Sequence, residues 1–341
     1  MTKKIILGVL LIAILAGGII GYKTYSAVFS PNTTETTGKF LDIKPGTDLS
    51  ALADLMEEAN FIKDKESFLY VAGLMKYQTV RSGRFSVPAG SSNIELIRHL
   101  RSSKQATVNL VLSNARTLED LSGKIAKFIA LDSTEILQYF NDGRAANILE
   151  TNRENIMTYF IPNTYEVYWN ESMDALLARM KKEHDRFWTS NNRLSKAENQ
   201  NMSAEEIYTL ASIIEKETNQ NIEKPTMAAA LHNRIRIGMP LQADPTAVFA
   251  TGDFQTKRVL NKHTQYDSPY NTYMYKGLPP GPIAMASIAS IDAVLSPDTN
   301  KYLYYCAKGD GSGLHNFATN LRAHNNNSRI YVQNLKRRGK R

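Results

Sequence analysis

Residues 5–21 carry no charge and are almost wholly apolar, a run of 17 residues reading Ile5-Ile-Leu-Gly-Val-Leu-Leu-Ile-Ala-Ile-Leu-Ala-Gly-Gly-Ile-Ile-Gly21. A helix of that length lies near the lower limit for crossing a bilayer. The rest of the chain must therefore fold beside a membrane or behind a removed leader. Lys3 and Lys4 precede the run, Tyr22 sits where an interfacial aromatic belongs, and Lys23 closes it. A cleaved signal peptide has the same general pattern. Against it, no clear Ala-x-Ala site follows and no cysteine is near for lipid attachment. The expectation is an uncleaved single-pass anchor over residues 5–22 that places the chain in the inner (cytoplasmic) membrane. The positive-inside tendency keeps the tip, residues 1–4, in the cytoplasm and puts everything after Lys23 on the extracytoplasmic, periplasmic side.

Residues 23–39 are polar, with Pro31 and Gly38, and read as a linker. Residues 40–106 then carry an internal echo. Ile43-Lys-Pro-Gly46-Thr-Asp precedes Leu52, Ala53 and Met56, and Val87-Pro-Ala-Gly90-Ser-Ser precedes Leu96, Ile97 and Leu100, at an offset of 44 residues. Each copy predicts a strand, a glycine turn, a polar cap and an amphipathic helix. Residues 107–155 read as a connecting α/β segment, with a strand over 108–112 and a capped helix opened by Thr117. A helix is predicted from Met173 to Thr189. Residues 336–341, Lys-Arg-Arg-Gly-Lys-Arg, read as a solvated basic tail.

The net charge of +8 implies an anionic partner or surface. Nucleic acid is set aside, because the basic residues are scattered and no nucleic-acid motif occurs. Cys306 is the single cysteine, which excludes an internal disulfide and a multi-cysteine metal site. It lies in Tyr302-Leu-Tyr-Tyr-Cys-Ala307, read as a strand with an inert core thiol. No His-Glu-x-x-His pair and no phosphate-binding glycine loop is present, so neither a metal nor a cofactor is expected. Gly309-Asp-Gly-Ser-Gly313 is out of register for a nucleophile elbow. What remains is carboxylates with Tyr, Asn, Gln and His in polar loops, the usual material of a carbohydrate site.

One helix concentrates this chemistry. In residues 203–218, Ser203 and Glu206 have the spacing of a capping box. Ile207, Leu210, Ala211 and Ile214 make one apolar stripe, and Glu215 and Glu217 lie near the helix end. At about 100° per residue both carboxylates sit at the edges of the stripe, on opposite sides. A carboxyl at such a boundary is partly desolvated and can hold a proton near neutral pH. The wheel does not choose between the two, and a solvated Glu-Lys-Glu helix end fits the stretch equally.

Ala211-Ser-Ile-Ile-Glu-Lys-Glu-Thr218 is followed by Ala230-Leu-His-Asn-Arg-Ile-Arg-Ile-Gly238, Leu241-Gln-Ala-Asp-Pro-Thr246, Tyr270-Asn-Thr-Tyr273 and Gly277-Leu-Pro-Pro-Gly-Pro-Ile283. In order and spacing these resemble the catalytic domain of the endolytic murein transglycosylases, the MltG or YceG-like family, over residues 156–335. Phe160-Ile-Pro-Asn-Thr-Tyr165 resembles a further family segment, with Asn163 where the family has an acid. Ser113-Asn-Ala-Arg116 departs from the family's usual Pro-Glu-Gly turn. The resemblance implies an α+β chain: a transmembrane helix, a small LysM-like α+β subdomain over residues 40–106, and a mixed α/β catalytic domain. No aromatic cluster marks a sugar face in the LysM-like part, and a plain packing module fits it as well.

The resemblance also implies the activity. It is lysis of the MurNAc–GlcNAc bond of nascent peptidoglycan strands, which leaves 1,6-anhydro-MurNAc ends and terminates elongation beside peptidoglycan synthases. It assigns the single acid/base to Glu215 and leaves Glu217 as a structural or electrostatic neighbour. Gln242, Asp244, Tyr270, Asn271, Tyr273 and His315 are the expected substrate-binding residues. Two rivals remain: a hydrolytic muramidase using Glu215 and Asp244 as acid and base, and a non-catalytic glycan-binding scaffold.

Overall fold

A computed structural model describes residues 2–35, 38–256 and 258–339. The chain divides into two units. The first comprises Met1–Asn109, Phe128–Leu131 and Glu166–Glu171, and the second Leu110–Lys127, Asp132–Tyr165 and Ser172–Arg341.

The first unit opens with helix α1 (Thr2–Phe29). Its apolar part, Ile5–Phe29, is 25 residues long, and its most apolar 18 residues have a mean hydropathy of 2.6. At about 1.5 Å per residue this is longer than the ~30 Å hydrocarbon core of a bilayer. The helix therefore runs beyond the expected end at residue 22 and takes in the first part of the expected linker. The reason is local: no proline follows Gly21 before Pro31, so nothing stops the helix earlier. The next residues are ordered as well. Pro31 and Thr33 form isolated bridges with Ser92 and Ile62. Asn32 is buried, its Nδ2 donating to Asn93 Oδ1 at 2.7 Å and to the Asp64 carbonyl at 2.9 Å. Residues 36 and 37 of the expected linker lie outside the described residues.

The echo folds as a pair. Strands β1 (Phe40–Ile43) and β2 (Gly83–Ser86) are antiparallel partners, with Leu41 opposite Phe85. Asp42 and Arg84, also directly opposite, form a two-pronged ion pair at 2.7 Å. Helices α2 (Leu49–Glu58) and α4 (Asn93–Ser102) follow the two strands, and α3 (Lys65–Leu74) lies between the copies. Leu52, Ala53 and Met56 meet Leu96, Ile97 and Leu100 in one core with Leu41, Ile43, Phe68 and Phe85. Strands β3 (Thr107–Leu112) and β4 (Asn163–Tyr168) pair with each other.

The second unit is mainly helical. Its short helices α5 (Leu118–Ile125), α6 (Ser133–Asn141) and α7 (Arg144–Leu149) draw most of the expected connecting segment into the larger unit. Their apolar faces require this: Leu121, Ile125, Ile136, Phe140 and Leu149 are all buried. Then come α8 (Met173–Thr189), α9 (Arg193–Glu198), α10 (Ala204–Glu217), α11 (Lys224–Arg236), α12 (Asp244–Thr251), α13 (Asn261–Thr264) and α14 (Ile288–Leu295). An antiparallel hairpin of β5 (Tyr304–Ala307) and β6 (His315–Ala318) precedes α15 (Leu321–Arg337). The last residues of the basic tail, 340 and 341, lie outside the described residues.

Helix α10 is the axis of this unit. Every residue from Ile207 to Ile214 is buried, more than one stripe of the wheel. Its capping box is complete: Ser203 Oγ accepts from the Glu206 N–H at 3.2 Å, and the Glu206 carboxylate accepts from the Ser203 N–H at 2.8 Å. Polar atoms on the buried faces are also satisfied. Ser212 Oγ accepts the Ile283 N–H at 3.0 Å, and Tyr208 Oη accepts the Ala286 N–H at 3.2 Å. Both bonds fix the proline-rich segment 277–286 against the helix. Gly281 in that segment is obligatory, since a Cβ there would lie 2.4 Å from the Glu154 carbonyl oxygen.

Candidate active site

The end of α10 delivers its two carboxylates to different surroundings. Glu215 turns inward, with 16% of its side chain exposed. Its Oε2 accepts from Ser287 Oγ at 2.5 Å, from Ser290 Oγ at 2.6 Å and from Lys224 Nζ at 3.0 Å. Ser287 caps α14, so the carboxylate also lies at a helix N-terminus. Burial would raise the Glu215 carboxyl, but the two hydroxyls and the ammonium outweigh it and hold the group below its ordinary value. A carboxylate so occupied is ionised at neutral pH and has no proton to give. Glu215 pins three helices, α10, α11 and α14.

Glu217 faces a groove of about 400 Å³. Gln242, Asp244, Tyr273 and His315 line the same groove, with Arg234, Tyr304, Tyr305 and His324. Tyr305 Oη donates to Glu217 Oε1 at 3.2 Å. Burial, with the Asp244 carboxylate adding to it, pushes the Glu217 carboxyl up to about 8, against the pull of the Tyr305 hydroxyl and the Arg234 guanidinium. At neutral pH this carboxyl is protonated and faces open space, the state a general acid requires.

The rest of the groove is built by local structure. Asp244 opens α12, and its Oδ1 accepts the Tyr273 hydroxyl at 2.5 Å. Burial and that bond both push the Tyr273 phenol up, so it stays a donor. Gln242 is exposed and held at φ 46°, in the left-handed region, by its N–H bond to the Thr272 carbonyl at 3.0 Å. Backbone strain of this kind collects where a side chain must be aimed at a ligand. Arg234 is buried and spans carbonyls, with Nε 2.5 Å from Leu303 O and Nη1 2.6 Å from Leu241 O. The His324 ring stacks on Tyr304 with centroids 5.2 Å apart, and its buried Nδ1 has no hydrogen-bond partner among the described residues.

Two expected site residues lie elsewhere. Asn271 is fully buried, and its Nδ2 donates to the carbonyls of His263, Thr264 and Tyr266 while its Oδ1 accepts the Tyr273 N–H at 3.1 Å. It shapes the loop that carries Tyr273 and offers no free atom to a sugar. Tyr270 packs on Phe249, centroids 4.8 Å apart, and lines a separate small cavity with Arg116 and Arg153. Cys306, expected in the core, is half-exposed on β5 and lines the groove, where burial keeps its thiol neutral. Tyr305 reaches Glu217, while the Cys306 thiol lies 3.9 Å from Ser328 Oγ of α15. Among the described residues no group of three or more His, Cys, Asp or Glu is placed to hold a metal ion.

Sequence reasoning passes over Tyr305, Arg234 and Glu223. Tyr305 sits in an apolar run that reads as core strand. Arg234 reads as the polar face of α11. Glu223 reads as an ordinary acid at a helix start. Only the long-range contacts of each give it a role.

The YceG-like family model matches residues 41–330. An endolytic murein transglycosylase of Bacillus subtilis (strain 168) is 27% identical over 309 residues, spanning 86% of this chain and 84% of the relative. An endolytic murein transglycosylase of Streptococcus pneumoniae (strain D39) is 21% identical over 355 residues, covering 95% of this chain and 64% of that longer protein. The crystal structure of a yceG-like protein from Listeria monocytogenes aligns with a TM-score of 0.56 at 25% identity, over 84% of this chain and 98% of the other.

Proposed function

This chain belongs to the YceG-like family, and from that premise we propose that it is a membrane-anchored endolytic murein transglycosylase, a lyase whose acid is Glu217 and not Glu215. The observation that carries the assignment is a protonated carboxyl on an open groove: Glu217 is raised to about 8 beside Gln242, Asp244, Tyr273 and His315, while Glu215 is ionised and enclosed. The substrate is the glycan strand of peptidoglycan, cut between MurNAc and GlcNAc. Glu217 gives its proton to the glycosidic oxygen as the C1–O4 bond breaks. The C6 hydroxyl of the same MurNAc then closes on C1 and gives its proton to a base of the groove, and a 1,6-anhydro ring replaces the hydrolysis product. The sugar's acetamido group carries the charge at the anomeric carbon, so no protein nucleophile is needed.

Helix α1 anchors the protein in the cytoplasmic membrane, with Lys3 and Lys4 inside and the groove outside. The ordered strap at residues 30–35 keeps the first unit close to the bilayer, where strands emerge from the synthases that are its natural partners. Residues 40–106 serve as a glycan-holding subdomain of LysM type in this reading. Asp244 supports the acid through its charge and through Tyr273, and it does not activate water as a muramidase base.

Mass spectrometry of sacculi digested by the full chain tests the class. Anhydro-muramic ends are the expected product. Reducing ends would establish the hydrolase, and intact strands the scaffold.

A further inference from the structure

A third carboxylate, more deeply buried, is tied to the groove through His315. Glu223, 6% exposed, sits just before α11. Its Oε1 accepts from Thr218 Oγ1 at 2.5 Å and from His315 Nδ1 at 2.7 Å, and its Oε2 accepts the His315 N–H at 2.9 Å. Thr218 is the C-cap of the helix that carries Glu217. The Thr218 and backbone bonds alone tie the helix end to the hairpin. The Nδ1 bond does something more: it sets the imidazole. A carboxylate only accepts, so Nδ1 carries a hydrogen, and in the neutral ring this is the tautomer that leaves a lone pair on Nε2. The ring lines the groove with Glu217. It stands edge-on to Tyr305, centroids 6.0 Å apart and planes at 85°, and the Tyr305 hydroxyl reaches Glu217. Among the described residues, Nε2 has no hydrogen-bond partner.

We propose that His315, oriented by Glu223, is the base that takes the proton from the attacking C6 hydroxyl. This rests on the reading of Glu217 as the acid. As the C1–O4 bond breaks, its electron pair goes to O4, which takes the Glu217 proton. As C1–O6 forms, the O6 proton passes to Nε2. The imidazolium then faces the Glu223 carboxylate across Nδ1, which stabilises the new charge. Return of the Nε2 proton to the Glu217 carboxylate restores both groups. No water is consumed and no oxidant or reductant is required; the acid acts as the C1–O4 bond breaks and the base, a separate group, acts as the ring closes. Glu223 is a positioning residue in this scheme, since it touches only the histidine and the frame.

The test uses the full chain in detergent on isolated glycan strands, counting anhydro ends per unit time. The variants are His315→Ala, Glu223→Gln and Glu217→Gln, with melting temperatures recorded for each. His315→Ala is expected to lose about 10²–10⁴-fold in kcat with little change in KM, and added imidazole is expected to restore part of the rate. Glu223→Gln keeps an acceptor for Nδ1 but removes the charge, and is expected to lower kcat by roughly tenfold without imidazole rescue. A His315→Ala protein with normal kcat and a raised KM would make the histidine a sugar holder and overturn the proposal. So would a protein whose only defect is a lower melting temperature, or one that imidazole does not rescue. Glu217→Gln separates the two claims. If it stays active, the acid reading fails whatever His315 does; if it is dead while His315→Ala is fully active, only the base is lost.

Discussion

Lys224 Nζ lies 3.0 Å from Glu215 Oε2, with 4% and 16% of the two side chains exposed. A pair this deep is held by its geometry and by the hydroxyls of Ser287 and Ser290 that fill the remaining lone pairs. Removing one partner leaves the other buried and uncompensated, which typically costs about 3–5 kcal/mol. Glu215→Gln is therefore expected to melt well below the parent, and Lys224→Met added to it should recover part of the loss. The sign with pH follows from the lowered Glu215 carboxyl. A depressed acid stabilises the fold above its unfolded pKa, and the contribution is lost as pH falls through the folded value. The parent should thus lose stability on acidification more steeply than Glu215→Gln. A Glu215→Gln protein with an unchanged melting curve would show that the pin is not there.

Glu217→Gln is the complementary case. The amide is nearly isosteric with the protonated acid and still meets Tyr305, so the melting temperature should hold. Loss of the donated proton should cost about 10²–10⁴-fold in rate. Anhydro ends counted on sacculi decide it, and near-parental turnover by this variant would return the acid to Glu215.

The pH profile gives two shifts of opposite sign. Glu217 must be protonated to act, and its carboxyl lies at about 8, so kcat/KM should fall on the alkaline side near that pH. The Asp244 charge raises this value. Asp244→Asn should therefore move the alkaline limb to lower pH, and retain turnover that a lost water-activating base would abolish. The Tyr305 hydroxyl lowers it, since it donates to the ionised form. Tyr305→Phe should move the limb to higher pH. Two shifts in the same direction would sink the assignment of the limb to Glu217.

The frame of the site is readable where the signals are local. Ser203 and Glu206 announce α10 by spacing alone, and Met173–Thr189 is helical over the expected residues. The 44-residue echo anticipates two strands and two helices, because it is written in the buried positions themselves. The choice between Glu215 and Glu217 is not readable. Both sit at the edge of one stripe, and what separates them is contributed from residues 224, 287, 290 and 305, up to 88 positions away. Tyr270, Asn271 and Tyr273 are neighbouring polar residues with equal claim from sequence. The turn they form sends one to an aromatic contact, one into the loop interior and one to the groove. The reach of α1 to Phe29 exceeds the expected end for a simpler reason: the polar residues after Gly21 do not by themselves end a helix that only Pro31 stops.

Asn271 yields the last prediction. Its amide satisfies three carbonyls, those of His263, Thr264 and Tyr266, and its oxygen receives the Tyr273 N–H. Asn271→Ala removes these bonds from a closed loop, where the His263 carbonyl keeps only the Tyr266 N–H at 3.3 Å, a loss of about 1–3 kcal/mol. For a unit of this size that lowers the melting temperature by roughly 2–4 °C per kcal/mol. Asn271→Asp keeps an acceptor for Tyr273 but turns a second oxygen toward three carbonyl oxygens, so it should be at least as unstable. A sugar-binding role predicts the reverse order of effects: both variants melting normally, with KM raised and the carboxylate the better tolerated. Differential scanning calorimetry with steady-state assays at low temperature distinguishes the two. If Asn271 shapes the loop, the folded fraction of both variants keeps the parental KM within a few-fold while the melting temperature falls.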